Sequence, residues 1–115
     1  MKDDNYFEKI KALLEEESWL TEFLEAQGFC VICDHDDPLD IELHHVGRKR
    51  NDKLVVSVCR NCHGRFSRKQ RWWPKLSLSK NNPPDLRQAW AYHGLSELFE
   101  EKARRIFAAH GVWGF

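Results

Sequence analysis

Apolar positions in the first quarter of the chain recur at helical spacing. Phe7, Ile10, Leu14, Leu20, Phe23 and Leu24 recur at near-helical spacing with acids on the other face, which predicts a helix over residues 5–27 with Gly28 as its stop. The pattern then changes. A polar turn follows over 35–40 with Pro38 inside it, and Ile41 to Val46 alternates as a strand does. The segment GRKRNDK, residues 47–53, reads as a basic loop, and the β-branched run from Leu54 to Val58 as a second strand. His63 to about Trp72 predicts a short basic helix ended by Pro74, followed by a Ser-, Asn- and Pro-rich loop over 75–84. Two C-terminal helices are expected within 85–110, Asp85–His93 and Ser96–His110, divided at Gly94 and closed by Gly111.

These elements describe an α+β chain whose centre is strand, loop, strand, helix. A length of 115 residues suits a single domain, 1–115. Nowhere is there the run of roughly 18 apolar residues that a membrane helix needs. The start of the chain lacks the apolar core of a secretion signal, so a cytoplasmic location with reduced thiols is expected.

Charge changes the picture. Lys/Arg and Asp/Glu balance at 18 each, but the balance is not local. Residues 1–45 carry three basic residues against thirteen acids, and residues 46–80 carry eleven against one, Asp52. A basic centre of this kind suits a polyanion. The competing reading is a solvated face paired with the acidic arm, and that arm could also serve a protein partner.

The four cysteines form two Cys-x-x-Cys pairs, Cys30/Cys33 and Cys59/Cys62, with 25 residues between them. A two-residue gap lets both thiolates of a pair turn to one tetrahedral ion, and four thiolates leave no open position, so the expected ion is a structural Zn²⁺. Of six histidines, His35, His93 and His110 read as satisfied side chains. His44 and His45 are adjacent in the first predicted strand, and His63 directly follows the last cysteine and opens the basic helix. Neighbours in a strand point to opposite faces, so His44 and His45 cannot share one role, and His63 could meet one of them across a small cleft.

The stretch Cys30-x-x-Cys33, Leu43-His44-His45-Val46 and Val58-Cys59-Arg60-Asn61-Cys62-His63 resembles the HNH endonucleases over roughly residues 29–71. The resemblance implies a ββα-metal core stapled by the four-cysteine zinc, with the predicted helices outside it. It implies His45 as general base and His44 and His63 as ligands of a catalytic divalent metal. The middle Asn of the pattern would fall at Leu54, and Asn51 is the nearest candidate. Ser67 stands where some relatives have a further metal-binding His.

The implied activity is phosphodiester hydrolysis, most simply of double-stranded DNA, leaving 5′-phosphate and 3′-hydroxyl ends. That chemistry needs a water, a base and a cation at the developing charge. Two imidazole ligands suit Mn²⁺, Ni²⁺ or Co²⁺ better than Mg²⁺. Arg48, Lys49, Arg50, Arg65, Arg68, Lys69 and Arg71 would neutralise phosphates, which positions a duplex without reading its sequence. Core packing suits most of Trp72, Trp73, Trp90 and Trp113, but Trp72 and Trp73 end the basic helix and could stack on bases. The alternative function is a zinc-stapled nucleic-acid-binding module without catalysis, and a third is a zinc-stabilised protein-interaction domain.

Overall fold

The computed structural model describes residues 8, 9, 12, 19–25 and 28–112. Helix α1 spans Trp19–Glu25. The rest of the predicted 5–27 helix lies almost wholly outside the described residues, as does Trp113. Phe23 of α1 is half-buried and lies 5.2 Å from Phe99, ring centre to ring centre.

Gly28 follows with φ +82°, a conformation open to glycine, and leads into the first cysteine pair. There Cys30 N–H donates to His35 O and Asp34 N–H donates to Cys30 O, closing the turn. Asp34 takes φ 65° within it. Val31 N–H donates to Ser57 O, which ties this turn to the second strand. A 3₁₀ turn, Pro38–Asp40, opens with the Asp37 carboxylate accepting from Leu39 N–H.

Strands β1 (Ile41–His45) and β2 (Val55–Cys59) pair antiparallel, with Ile41 opposite Cys59 and His45 opposite Val55. Both match the predicted strands, with β2 one residue later than expected. Val56, Ser57, Val58 and Cys59 are all buried, which explains a run of apolar residues without clean alternation.

Helix α2 spans Arg60–Arg71 and starts three residues before the predicted His63. The expectation treated the second cysteine pair as a separate turn. In fact Cys59 is the residue preceding the helix and Cys62 sits in its first turn, so helix geometry itself brings the pair together. Arg68, Lys69 and Arg71 occupy the last turn, where positive charge meets the unpaired carbonyls. The predicted 75–84 loop contains a 3₁₀ turn, Lys75–Leu78, whose Ser77 is fully buried.

The division at Gly94 is not seen. One helix, α3, runs unbroken over the 26 residues Pro84–Ala109. Gly94 is inside it because backbone must pass close by: a Cβ there would lie 1.9 Å from Val46 O. On the other side of the contact a Cβ on Gly47 would lie 2.7 Å from Ala91 N. The glycine that looked like a stop is thus a packing device, and helix and strand end meet with no side chain between them. Leu98, one turn further, is fully buried beside Val46, Val56, Val58, Ile32 and Phe66 in the core. Trp73 and Trp90 stack at 5.7 Å, and Trp73 donates from Nε1 to Glu97. Trp73 is therefore core, whereas Trp72 is 89 % exposed.

Candidate functional site

The four thiols converge. Their sulfurs all lie within 4.8 Å of one another, and the Cys33 and Cys59 sulfurs are 3.7 Å apart. Four sulfurs about 2.3 Å from a tetrahedral ion would stand about 3.8 Å apart, so the cluster fits a structural metal such as zinc. Each cysteine is free of disulfide, and Cys30, Cys59 and Cys62 are buried. Burial raises the Cys62 and Cys33 thiols. Burial acts the same way on Cys59, but the backbone N–H of Cys62 and thiol bonds from Cys62, Cys33 and Cys30 outweigh it and hold Cys59 down to about 7. Cys59 stands at the junction of β2 and α2.

A second group, His35, Asp37 and Asp40, also brings ligand atoms within 4.8 Å of one another. It is more exposed, and His35 Nε2 is already 2.9 Å from Asp40 Oδ2, a contact that raises the His35 pKa.

The histidines divide as strand geometry requires. His44 points inward at 2 % exposure, between α2 side chains, with its ring 5.5 Å from His63 and 5.7 Å from Phe66. Burial, with smaller contributions from His63 and His45, lowers its pKa to about 4, so His44 is neutral at ordinary pH. His63, in the first turns of α2, hydrogen-bonds through Nδ1 to Glu42 Oε1 at 3.0 Å. Glu42 and His44 are two residues apart on β1 and so share a face. That spacing was a readable signal for Glu42, which the sequence pattern alone had not singled out. His45 is on the other face, and its Nδ1 is buried without a hydrogen-bond partner among the described residues.

Two further side chains hold this region. Gln70, seven residues after His63 on the same side of α2, donates to His45 O and Val46 O, and its Nε2 lies 3.5 Å from His44 Nε2. Asn51 is 6 % exposed and donates from Nδ2 to Gly47 O at 2.7 Å and Ser77 O at 2.8 Å. Asn82 donates in turn to Asn51 Oδ1 at 3.4 Å. The side chain at 51 thus fixes the loop that leaves His45, although it lies three residues before Leu54.

The basic residues do not form one surface. Arg48, with φ 71°, turns inward: its guanidinium donates to Gln70 O and lies 5.7 Å from the centre of the Trp73 ring. Burial lowers its pKa, and it serves the fold rather than a free surface. Lys49 and Arg50 are exposed and line a cleft of about 460 Å³ together with Lys53 and Arg87. Arg87 comes from α3, and no local pattern connects it to the loop. Arg65, Arg68, Lys69 and Arg71 are exposed along α2, and Arg65 pairs with Glu101 at 3.4 Å. No helix among the described residues is long and apolar enough to cross a membrane.

No protein-family model, curated protein or solved structure matches the chain.

Proposed function

We propose that the chain is a metal-dependent endonuclease of the HNH kind, with double-stranded DNA as substrate. The observation that carries this reading is the meeting of His44 of β1 and His63 of α2, 5.5 Å apart, beside the β2–α2 junction that supplies Cys59 and Cys62 of the four-cysteine cluster. His45, the next residue of β1 and on its other face, has an unpartnered nitrogen, and Asn51 fixes the loop that follows it. The four thiols would hold Zn²⁺, which would lock the start of α2 to the first cysteine turn.

His44 and His63 would hold the catalytic ion. Bound there, a divalent metal would supply a Lewis acid for the phosphate oxygens. The Glu42 contact fixes His63 Nδ1 and leaves its Nε2 for a ligand, the arrangement in which a carboxylate orients a metal-binding imidazole. His45 Nδ1 would accept the proton of the attacking water, since a buried nitrogen without a partner is satisfied by a water brought beside it. Lys49, Arg50, Lys53 and Arg87 would receive the flanking phosphates.

Plasmid cleavage with Mn²⁺, Ni²⁺, Co²⁺ or Mg²⁺ tests the proposal, with His45→Ala as control. Cleavage by the parent and its loss in His45→Ala is the expected result. Absence of cleavage of any nucleic acid with every ion would sink it. A non-catalytic zinc-stapled binding module is the second reading. It is favoured by the self-contained histidines: His44 is buried and His63 is already bonded to Glu42. Tight binding of DNA by a parent that cuts nothing would decide for it.

A further inference from the structure

Helix α2 has a second working face. Viewed down its axis at about 100° per residue, Arg65, Arg68, Lys69 and Trp72 lie roughly 120–180° round from His63. They therefore turn away from the histidines and toward α3. There a cleft of about 410 Å³ opens between the two helices, bounded by those four side chains with Phe66 and Arg104. Its volume is within the range of about 300–1,000 Å³ usual for small-ligand sites.

The ring of Trp72 is 89 % exposed at the mouth of this cleft. Its backbone is anchored. Trp72 N–H donates to Lys69 O at the end of α2, and the next residue, Trp73, is anchored by its bond to Glu97 and its stack on Trp90. The charge around it is positive. Glu101, the acid of the cleft, is shared by Arg65 and Arg105, and Arg104 pairs with Glu100. Arg68 has no carboxylate partner among the described residues, and Lys69 lies over the Phe66 ring, 5.7 Å from its centre. Stabilisation of the helix end accounts for basic residues in the last turn, but not for a fully presented tryptophan among them.

An aromatic face flanked by cations is how proteins hold single strands: the ring takes an unpaired base and the cations take the phosphates. A duplex keeps its base faces stacked and offers nothing to the ring. We infer that this cleft is a second nucleic-acid surface specific for single strands, with Trp72 stacking on a base and Arg68 and Lys69 on adjoining phosphates. Its binding is independent of cleavage. Joined to the nuclease reading, on which this last step rests, it names the substrate class as a duplex carrying an unpaired stretch.

The test is binding of the full-length, zinc-loaded chain to a fluorescent oligothymidine and, separately, to a labelled blunt duplex, without added catalytic metal. Trp72→Ala should weaken oligothymidine binding about tenfold, in keeping with the loss of one base stack, and change duplex affinity less than about twofold. Trp72→Phe should restore most of the loss. Lys69→Ala should flatten the salt dependence for the single strand. Parental oligothymidine affinity in Trp72→Ala overturns the inference, and so does an equal loss for strand and duplex. A parent that shows the Trp72 dependence but cuts nothing supports the cleft while removing the nuclease reading. A parent that cuts plasmid but lacks the dependence keeps the nuclease reading and removes the cleft.

Discussion

At the scale of single residues, neighbours in one strand are given different work by the pleat. His44 is buried against α2, and His45, on the other face, keeps a buried Nδ1 without a hydrogen-bond partner among the described residues. If His45 is the base, His45→Ala should abolish cleavage and leave DNA and metal binding nearly intact, read by gel shift and by calorimetric metal titration. If His44 and His63 are the ligands of a catalytic ion, changing either should instead weaken binding of that ion. Imidazole ligands favour borderline transition metals, so Mn²⁺, Ni²⁺ or Co²⁺ should outperform Mg²⁺, and His44→Asp should move the preference toward Mg²⁺. Mg²⁺ proving the best ion for the parent would refute that preference. Asn51→Ala removes two buried hydrogen bonds and leaves the carbonyls of Gly47 and Ser77 without this donor. A loss of roughly 2–3 kcal/mol in urea unfolding is expected.

At the scale of elements, the long helix reaches the strand end through glycine. Gly→Ala at an open helical position stabilises by about 1 kcal/mol. At Gly94 the sign should reverse, because the added Cβ would meet the backbone of Val46 and a carbonyl cannot rotate aside like a side chain. A net loss of about 1–3 kcal/mol is expected. Gly64→Ala in α2 is the matched control, because a Cβ there meets nothing within 4 Å. Thermal melts of the two variants should shift in opposite directions. Equal shifts would mean that α3 can retreat from β1 at no cost.

At the scale of the whole molecule, the four-cysteine cluster bears on stability and the split charge pattern on the proposed affinity for DNA. The four-cysteine cluster joins the first cysteine turn to the β2–α2 junction, so energy released on metal binding is folding energy. Purified protein should hold about one zinc, and Cys59→Ser or a strong chelator should lower the melting temperature sharply. Metal-free protein with the parental melting curve would contradict this. For affinity, neutralising Lys49 and Arg50 should weaken DNA binding for all sequences alike. It should also reduce the slope of log affinity against log salt by about 0.9 for each phosphate that is no longer neutralised. Arg48 belongs outside that experiment: its guanidinium is bound to Gln70 O and Trp73, so its removal should cost stability as well.

What the chain determined by local pattern was the strand pair, the basic helix after it and the paired cysteines. Each rests on a short-range period or spacing: alternation for β1, a β-branched run for β2, and Cys-x-x-Cys for the cluster. The opposition of His44 and His45 follows from the strand period alone. Gly94 shows where local reasoning stopped. A glycine between two helical stretches has the same sequence signature whether it ends a helix or admits a neighbouring backbone, and only the approach of Val46 distinguished the cases. The same holds for Arg48 and Arg87, one drawn inward from a basic run and the other brought to Lys49 and Arg50 from α3. Trp72 and Trp73 are adjacent and chemically alike, yet one is presented to solvent and the other is buried against Trp90. Charge and aromaticity are written in the residue, but the surface that uses them is made by segments far apart in the chain, and so is decided by packing.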